Sequence, residues 1–111
     1  MKKKIYQMDN EIAWEKVTDK VYRKIMAYDE NIMMVKVRFE KGGVGDLHKH
    51  PHVQTTLVEK GVFEVNIGGD KKILNAGDTF FVPSDTEHGV VNIEEGILID
   101  VFSPAREDFL K

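Results

Sequence analysis

An all-β fold, a small barrel or sandwich, is what this sequence predicts, and three observations predict it. Apolar residues alternate with polar ones along Met33, Val35, Val37 and Phe39, the two-residue period of a half-buried strand. Short β-rich runs then recur at close spacing, KKILNAGD, TFFVPSD, GVVNIEEG and ILIDVFSP, each bounded by Gly, Pro, Asn or Asp. With 111 residues and no cysteine, the chain is long enough to bury one core without disulfides and too short for two.

The elements follow in chain order. In the first third, Val17, Val21, Ile25 and Tyr28 stand at three- and four-residue spacing, which suits one face of a helix as well as it suits strands. We read VYRKIMAYD as a strand paired with IMMVKVRFE across the turn DEN, because an all-β chain with one edge-covering strand is the simpler architecture. The second of these strands ends at the turn KGGVGD. After Gln54, TTLVEKGVFEVNIGGD reads as a meander, with Gly61 and the Gly68-Gly69-Asp70 cluster as turns around the alternating Phe63, Val65 and Ile67. The terminal EDFL is too short for a stable helix of its own and is expected as a turn over the barrel mouth. The expected organisation is one domain over 1–111, with N-terminal strands over about 1–40, a metal-binding barrel core over about 41–103 and a tail over 104–111.

Charge and composition narrow the function. Sixteen Lys and Arg against nineteen Asp and Glu give a net charge of −3, with no basic run beyond the lysines after Met1, so nucleic acid is not an expected partner. The absence of cysteine removes thiol catalysis and zinc-thiolate sites, leaving imidazole, amide and carboxylate to hold any metal. The start MKKKIYQMDNEI has no apolar run behind its basic end, and no window approaches the roughly 20 apolar residues of a membrane span. A soluble, cytoplasmic protein is expected.

The chemistry concentrates in HKHPHVQ. On an extended segment His48 and His50 point to one face, and Gln54 keeps the same parity, so one strand offers three donors to one point. His88 follows Pro83 in PSDTEH, after the strand TFFV, which brings it back across the barrel to that point. Three imidazoles and one oxygen donor suit a divalent transition metal, Ni, Zn, Fe, Mn or Co, and leave coordination positions for water or substrate. His52 has the parity of a ligand, but Pro51 restricts the backbone before it. We expect His52 to support the ligands or to touch substrate.

Punctuation around these residues is more specific than the residues themselves. Gly42, five residues, His48, one residue, His50, three residues, Gln54, six residues, Gly61 is one string; Gly77, five residues, Pro83, four residues, His88, three residues, Asn92 is the second. They resemble the two signature motifs of the cupin superfamily at eight of nine fixed positions, the exception being Gln54, where the usual motif has glutamate. The resemblance implies a small cupin barrel, a double-stranded β-helix or jelly roll, with a metal on His48, His50, Gln54 and His88. A neutral amide in place of a carboxylate leaves the metal's positive charge uncancelled, which attracts anions and strengthens its Lewis acidity, with weaker metal retention as the cost.

The tail adds a second constellation. In ILIDVFSP, Leu98, Asp100 and Phe102 share one face, so an acid stands among apolar neighbours. It is either a hydrogen-bonded structural aspartate or, facing the lumen, a carboxyl whose proton affinity is raised by burial. Arg106 is either a solvated arginine or a planar fork for a carboxylate. HKHPHVQ together with IDVFSPAREDFL is similar to the single-domain cupins of the pectin degradation protein family, the KdgF type. That resemblance implies ring opening of 4,5-unsaturated uronates from pectin or alginate to the linear keto sugar acid. Asp100 would then be catalytic, with Arg106 and Phe102 lining the site of an anionic sugar, and the protein is expected to be a homodimer. The competing readings are a sugar-acid sensor without turnover, an iron-dependent dioxygenase, and a structural barrel without metal.

Overall fold

The computed structural model describes residues 4–111; Met1 to Lys3, the start of the expected N-terminal region, lie outside the described residues. Eight strands form: β1 (Glu15–Thr18), β2 (Val21–Tyr28), β3 (Met33–Phe39), β4 (Val44–His48), β5 (Val53–Ile67), β6 (Asp70–Asn75), β7 (Thr79–Val82) and β8 (His88–Ser103). All pairings are antiparallel. The expected pairing of VYRKIMAYD with IMMVKVRFE is present as β2 against β3, with Val21 opposite Phe39 and Ile25 opposite Val35.

Two long strands make the barrel. The first half of β5 pairs with β7 and with the second half of β8, which pairs in turn with β3; the second half of β5 pairs with β6 and the first half of β8, which pairs with β4. β5 and β8 therefore bend from one sheet into the other. The bend falls where the register slips between Val58 and Phe63. Gly61 sits there with φ +87°, and a side chain on it would run into the backbone of Glu94, Glu95 and Gly96; a side chain on Gly96 would run into Lys60.

This corrects two expectations. Gly61 is a bend within a continuous strand, because a bulge with left-handed backbone lets the chain change sheets while keeping its ladder. GVVNIEEG and ILIDVFSP are likewise one strand bent at Gly96. The Gly68-Gly69-Asp70 cluster is the turn expected of it, joining β5 to β6.

Alternation decides which residues fill the space between the sheets. Val21, Phe39, Val58, Phe63, Val65 and Leu98 form one buried cluster, with Phe39 of the first sheet meeting Phe63 of the second edge-on at 5.1 Å. Met33, Val35, Phe102 and Ala105 form another near the tail. On the opposite face of β2 and β3, Lys24 and Lys36 stand directly across from each other, a repulsive pairing. Asp9 resolves it by accepting from both ammonium groups, at 3.2 and 3.0 Å, while the Lys24 ammonium also lies 4.7 Å from the Trp14 ring centre. The N-terminal segment is thereby fixed across the sheet. Among the described residues no helix is long and apolar enough to cross a membrane.

Candidate metal centre

His48 ends β4 and His88 begins β8, and the two are direct partners across the ladder. His50 stands in the connection to β5, and Gln54 is the second residue of β5. The expectation that one strand carries His48, His50 and Gln54 is corrected here: Pro51, without an N–H, lies where the ladder breaks, and the chain swings from β4 to β5. The donors still converge. Ring centres lie 4.4 Å apart for His48 and His88, 4.8 Å for His50 and His88, and 5.4 Å for His48 and His50. One ring nitrogen from each falls within 4.8 Å of those of the other two.

Hydrogen bonds fix which nitrogen that is. His48 Nδ1 donates to the Asp46 carbonyl at 2.8 Å, His50 Nδ1 to the His52 carbonyl at 2.9 Å, and His88 Nδ1 to the Thr86 carbonyl at 2.8 Å. A carbonyl only accepts, so each neutral ring carries its proton on Nδ1 and keeps a lone pair on Nε2. His88 Nε2 is buried without a hydrogen-bond partner among the described residues. Burial pushes the His88 imidazole down to about 4, and burial with the nearby Arg106 charge lowers that of His50, so both rings stay neutral near pH 7.

Gln54 completes the set. Its Nε2 donates to Thr56 Oγ1 at 2.9 Å and to Asp100 Oδ1 at 3.3 Å, which turns Oε1 toward His50 Nε2 at 3.2 Å. Two lone pairs then face each other in a buried place, together with the orphan on His88. That arrangement is unfavourable alone and favourable around a cation, so these residues fit a metal.

Thr56 follows Gln54 with the same parity on β5 and is fully buried. Its hydroxyl donates to Asp100 Oδ1 at 2.7 Å, so one carboxylate oxygen takes both the Thr56 and the Gln54 hydrogen bonds. Asp100 Oδ2 has no such bond among the described residues. Burial pushes the Asp100 carboxyl up to about 6, against the Thr56 hydrogen bond and the Arg106 charge, which favour the carboxylate.

A cavity of about 330 Å³ opens at this point, lined by His48, Gln54, His88, Asp100, Phe102 and Arg106, with apolar walls from β2, β3 and β8. Arg106 is buried, with its guanidinium 5.0 Å from the Phe102 ring centre and 4.2 Å from that of Phe109. Asp108 takes its Nε at 3.1 Å and one Nη at 2.9 Å. Two of five N–H donors are engaged there, leaving three. EDFL forms a 3-10 turn, and Phe109 stands edge-on to Phe102 at the cavity. His52 is set apart from this lining; its carbonyl orients His50, and its ring lies edge-on to that of His50.

Comparison with known proteins decides the family. A cupin-domain family model matches residues 35–102, which include all four candidate ligands. The chain is a cupin. It also belongs with the pectin degradation protein KdgF of Dickeya dadantii, to which it is 48% identical over 107 residues, 95% of this chain and 97% of that protein. Among solved structures, an RmlC-like cupin from Shewanella frigidimarina matches with TM-score 0.93 and 42% identity over 96% of each chain. KdgF from Halomonas sp. matches with TM-score 0.91 and 40% identity, over 94% of this chain and 96% of that one.

Some residues of this cupin's site escaped the sequence reading. Thr56 was signalled by its parity with Gln54, and Phe109 by an aromatic in a tail too short to fold alone. Arg23 of β2 also lines the cavity, and its place on a strand of mixed pattern gave no signal.

Proposed function

We propose that this cupin opens the ring of 4,5-unsaturated uronates released in pectin or alginate breakdown, giving the linear keto sugar acid. The observation that carries the reading is one cavity, lined by His48, Gln54, His88, Asp100 and Arg106, that sets the three-imidazole cluster and its amide oxygen beside an available carboxylate oxygen and a buried arginine. The likeness to the pectin degradation protein KdgF of Dickeya dadantii supports it.

In such a uronate, C5 of the C4=C5 double bond carries the ring oxygen. Breaking the C1–ring oxygen bond gives an aldehyde at C1 and an enol at C5, which becomes a ketone when C4 gains a proton. A divalent metal on His48, His50, Gln54 and His88 would supply Lewis acidity toward a substrate oxygen that gains negative charge. Arg106 holds the carboxylate with its three remaining N–H groups, and Phe102 packs on the sugar. Thr56 and Gln54 hold Asp100 through Oδ1 and leave Oδ2 for the reaction. Asp100 takes the proton of the anomeric hydroxyl as the C1–ring oxygen bond breaks and gives a proton to C4 as the enol becomes a ketone, a role typically worth about a hundred- to ten-thousand-fold in rate.

The test is to mix metal-loaded protein with freshly made unsaturated uronate and follow the ultraviolet absorbance of the conjugated double bond. Faster loss than in a chelator-treated control is expected; a rate equal to the spontaneous one overturns the reading. We place the reaction in the cytoplasm. The exposed Met34, Leu57 and Phe81 on the outer face of the sheet support a homodimer, which sedimentation of the metal-loaded protein checks.

A further inference from the structure

Arg23 and Arg106 are the two arginines of the cavity wall, and one ring joins them. The Arg23 guanidinium lies 4.1 Å from the Phe109 ring centre and that of Arg106 lies 4.2 Å from the same point. The two guanidinium carbons are therefore no further apart than these distances laid end to end. A carboxylate can accept charge-assisted hydrogen bonds from two guanidinium groups at once, so two forks held this close, on one cavity wall, can share a single carboxylate.

Their donors are arranged for this. Arg23 donates through Nε to Glu15 Oε1 at 2.7 Å, the residue opposite it on β1. Both of its Nη groups are without hydrogen bonds among the described residues. Arg106 is held by Asp108 in the same manner, from the Nε side. Both anchoring carboxylates are exposed, at 61% and 58%, while the arginine side chains are at 19% and 11%. Each fork is thus anchored from the solvent side and carries unsatisfied donors. A carboxylate has about four lone-pair positions, enough for both. If Arg23 served only to staple β1 to β2, its exposed partner would give it little to do.

We propose that Arg23 is a second substrate-positioning residue, and that it grips the uronate carboxylate jointly with Arg106 over the Phe109 ring. This rests on the reading of the cavity as a sugar-acid site. It makes the site selective for the acid over the neutral sugar.

The test is calorimetric titration of the metal-loaded protein with galacturonate, which has no double bond to react, and with its methyl ester. Wild type, Arg23→Ala and Arg23→Lys are compared after matching of metal content and unfolding midpoint. We expect wild type to prefer the acid, Arg23→Ala to bind it at least tenfold more weakly with its ester affinity unchanged, and Arg23→Lys to fall between. The clamp is overturned if Arg23→Ala binds the acid within twofold of wild type, if acid and ester weaken equally, or if wild type binds no galacturonate. Turnover of unsaturated uronate by the same wild-type sample separates the two claims: Arg23-dependent binding without turnover keeps the clamp and removes the ring-opening reading, and turnover without Arg23 dependence does the reverse.

Discussion

Gln54 Oε1 faces His50 Nε2 at 3.2 Å, and neither atom has a proton to give the other. The Gln54 amide protons go to Thr56 and Asp100, and the His50 proton goes to a backbone carbonyl. A cation between such acceptors removes the repulsion. Metal should therefore stabilise the fold as well as serve chemistry.

Metal-free protein titrated with Zn²⁺ or Ni²⁺ should gain about 2.7 kcal/mol at a hundredfold excess over the dissociation constant, a rise of roughly 10 °C in the unfolding midpoint. His88→Ala should abolish the gain. Equal stabilisation of wild type and His88→Ala, measured by calorimetry, would place the metal elsewhere.

Gln54→Glu tests what the neutral amide does. The added charge should slow metal loss to a chelator, while the new carboxylate meets Asp100 Oδ1, where an N–H now donates. Two carboxylates sharing a site raise the proton affinity of one of them. Turnover should fall at least about tenfold with metal content preserved. Undiminished turnover would show that the amide has no part in arranging Asp100.

Asp100→Asn separates activity from stability. Turnover should drop by about a hundred- to ten-thousand-fold. In metal-free protein the folded carboxyl titrates at about 6, above the ordinary 3.8, so the folded state holds a proton that the unfolded state has lost between those values. The ionised group costs stability above pH 6, and the cost vanishes below pH 4. Asp100→Asn should accordingly be more stable than wild type at pH 8, by up to about 3 kcal/mol, with the difference closing by pH 4. His88 acts in the other direction: its folded value near 4 makes acid destabilising from about pH 6.5 downward, in both variants. Denaturant melts at the two pH values decide.

Arg106→Ala should raise KM by roughly 10- to 100-fold, as expected for a hydrogen-bonded charge pair, with little change in metal content. Arg106→Lys keeps the charge but loses the fork and should recover only part of the loss. Metal lost in proportion to affinity would make Arg106 a support of the metal centre instead of a substrate ligand.

Much of this was legible in the sequence because strand alternation and motif punctuation are local signals. The Met33 to Phe39 alternation marked β3, and the paired Gly, His, Gln and Asn spacings marked the region where the histidines meet. What was not legible depended on distant backbone. Gly61 looks like a turn until Gly96, thirty-five residues on, is brought against it to make a bend. HKHPHVQ looks like one strand until Pro51 breaks it. Arg106 looks solvated until EDFL folds back and sets Phe109 beside it. Arg23 carries no mark at all, since only the barrel's closure brings β2 to the tail.

The central claim, a metal-dependent ring opening ending in protonation at C4, meets its most direct test in one proton NMR time course of unsaturated uronate in D₂O. Metal-loaded protein should remove the vinyl proton signal of C4 faster than the uncatalysed control and give the linear keto acid carrying deuterium at C4. Chelator-treated protein should lose this acceleration and regain it on metal addition. Unaltered uronate, or an equal rate with and without metal, would contradict the account.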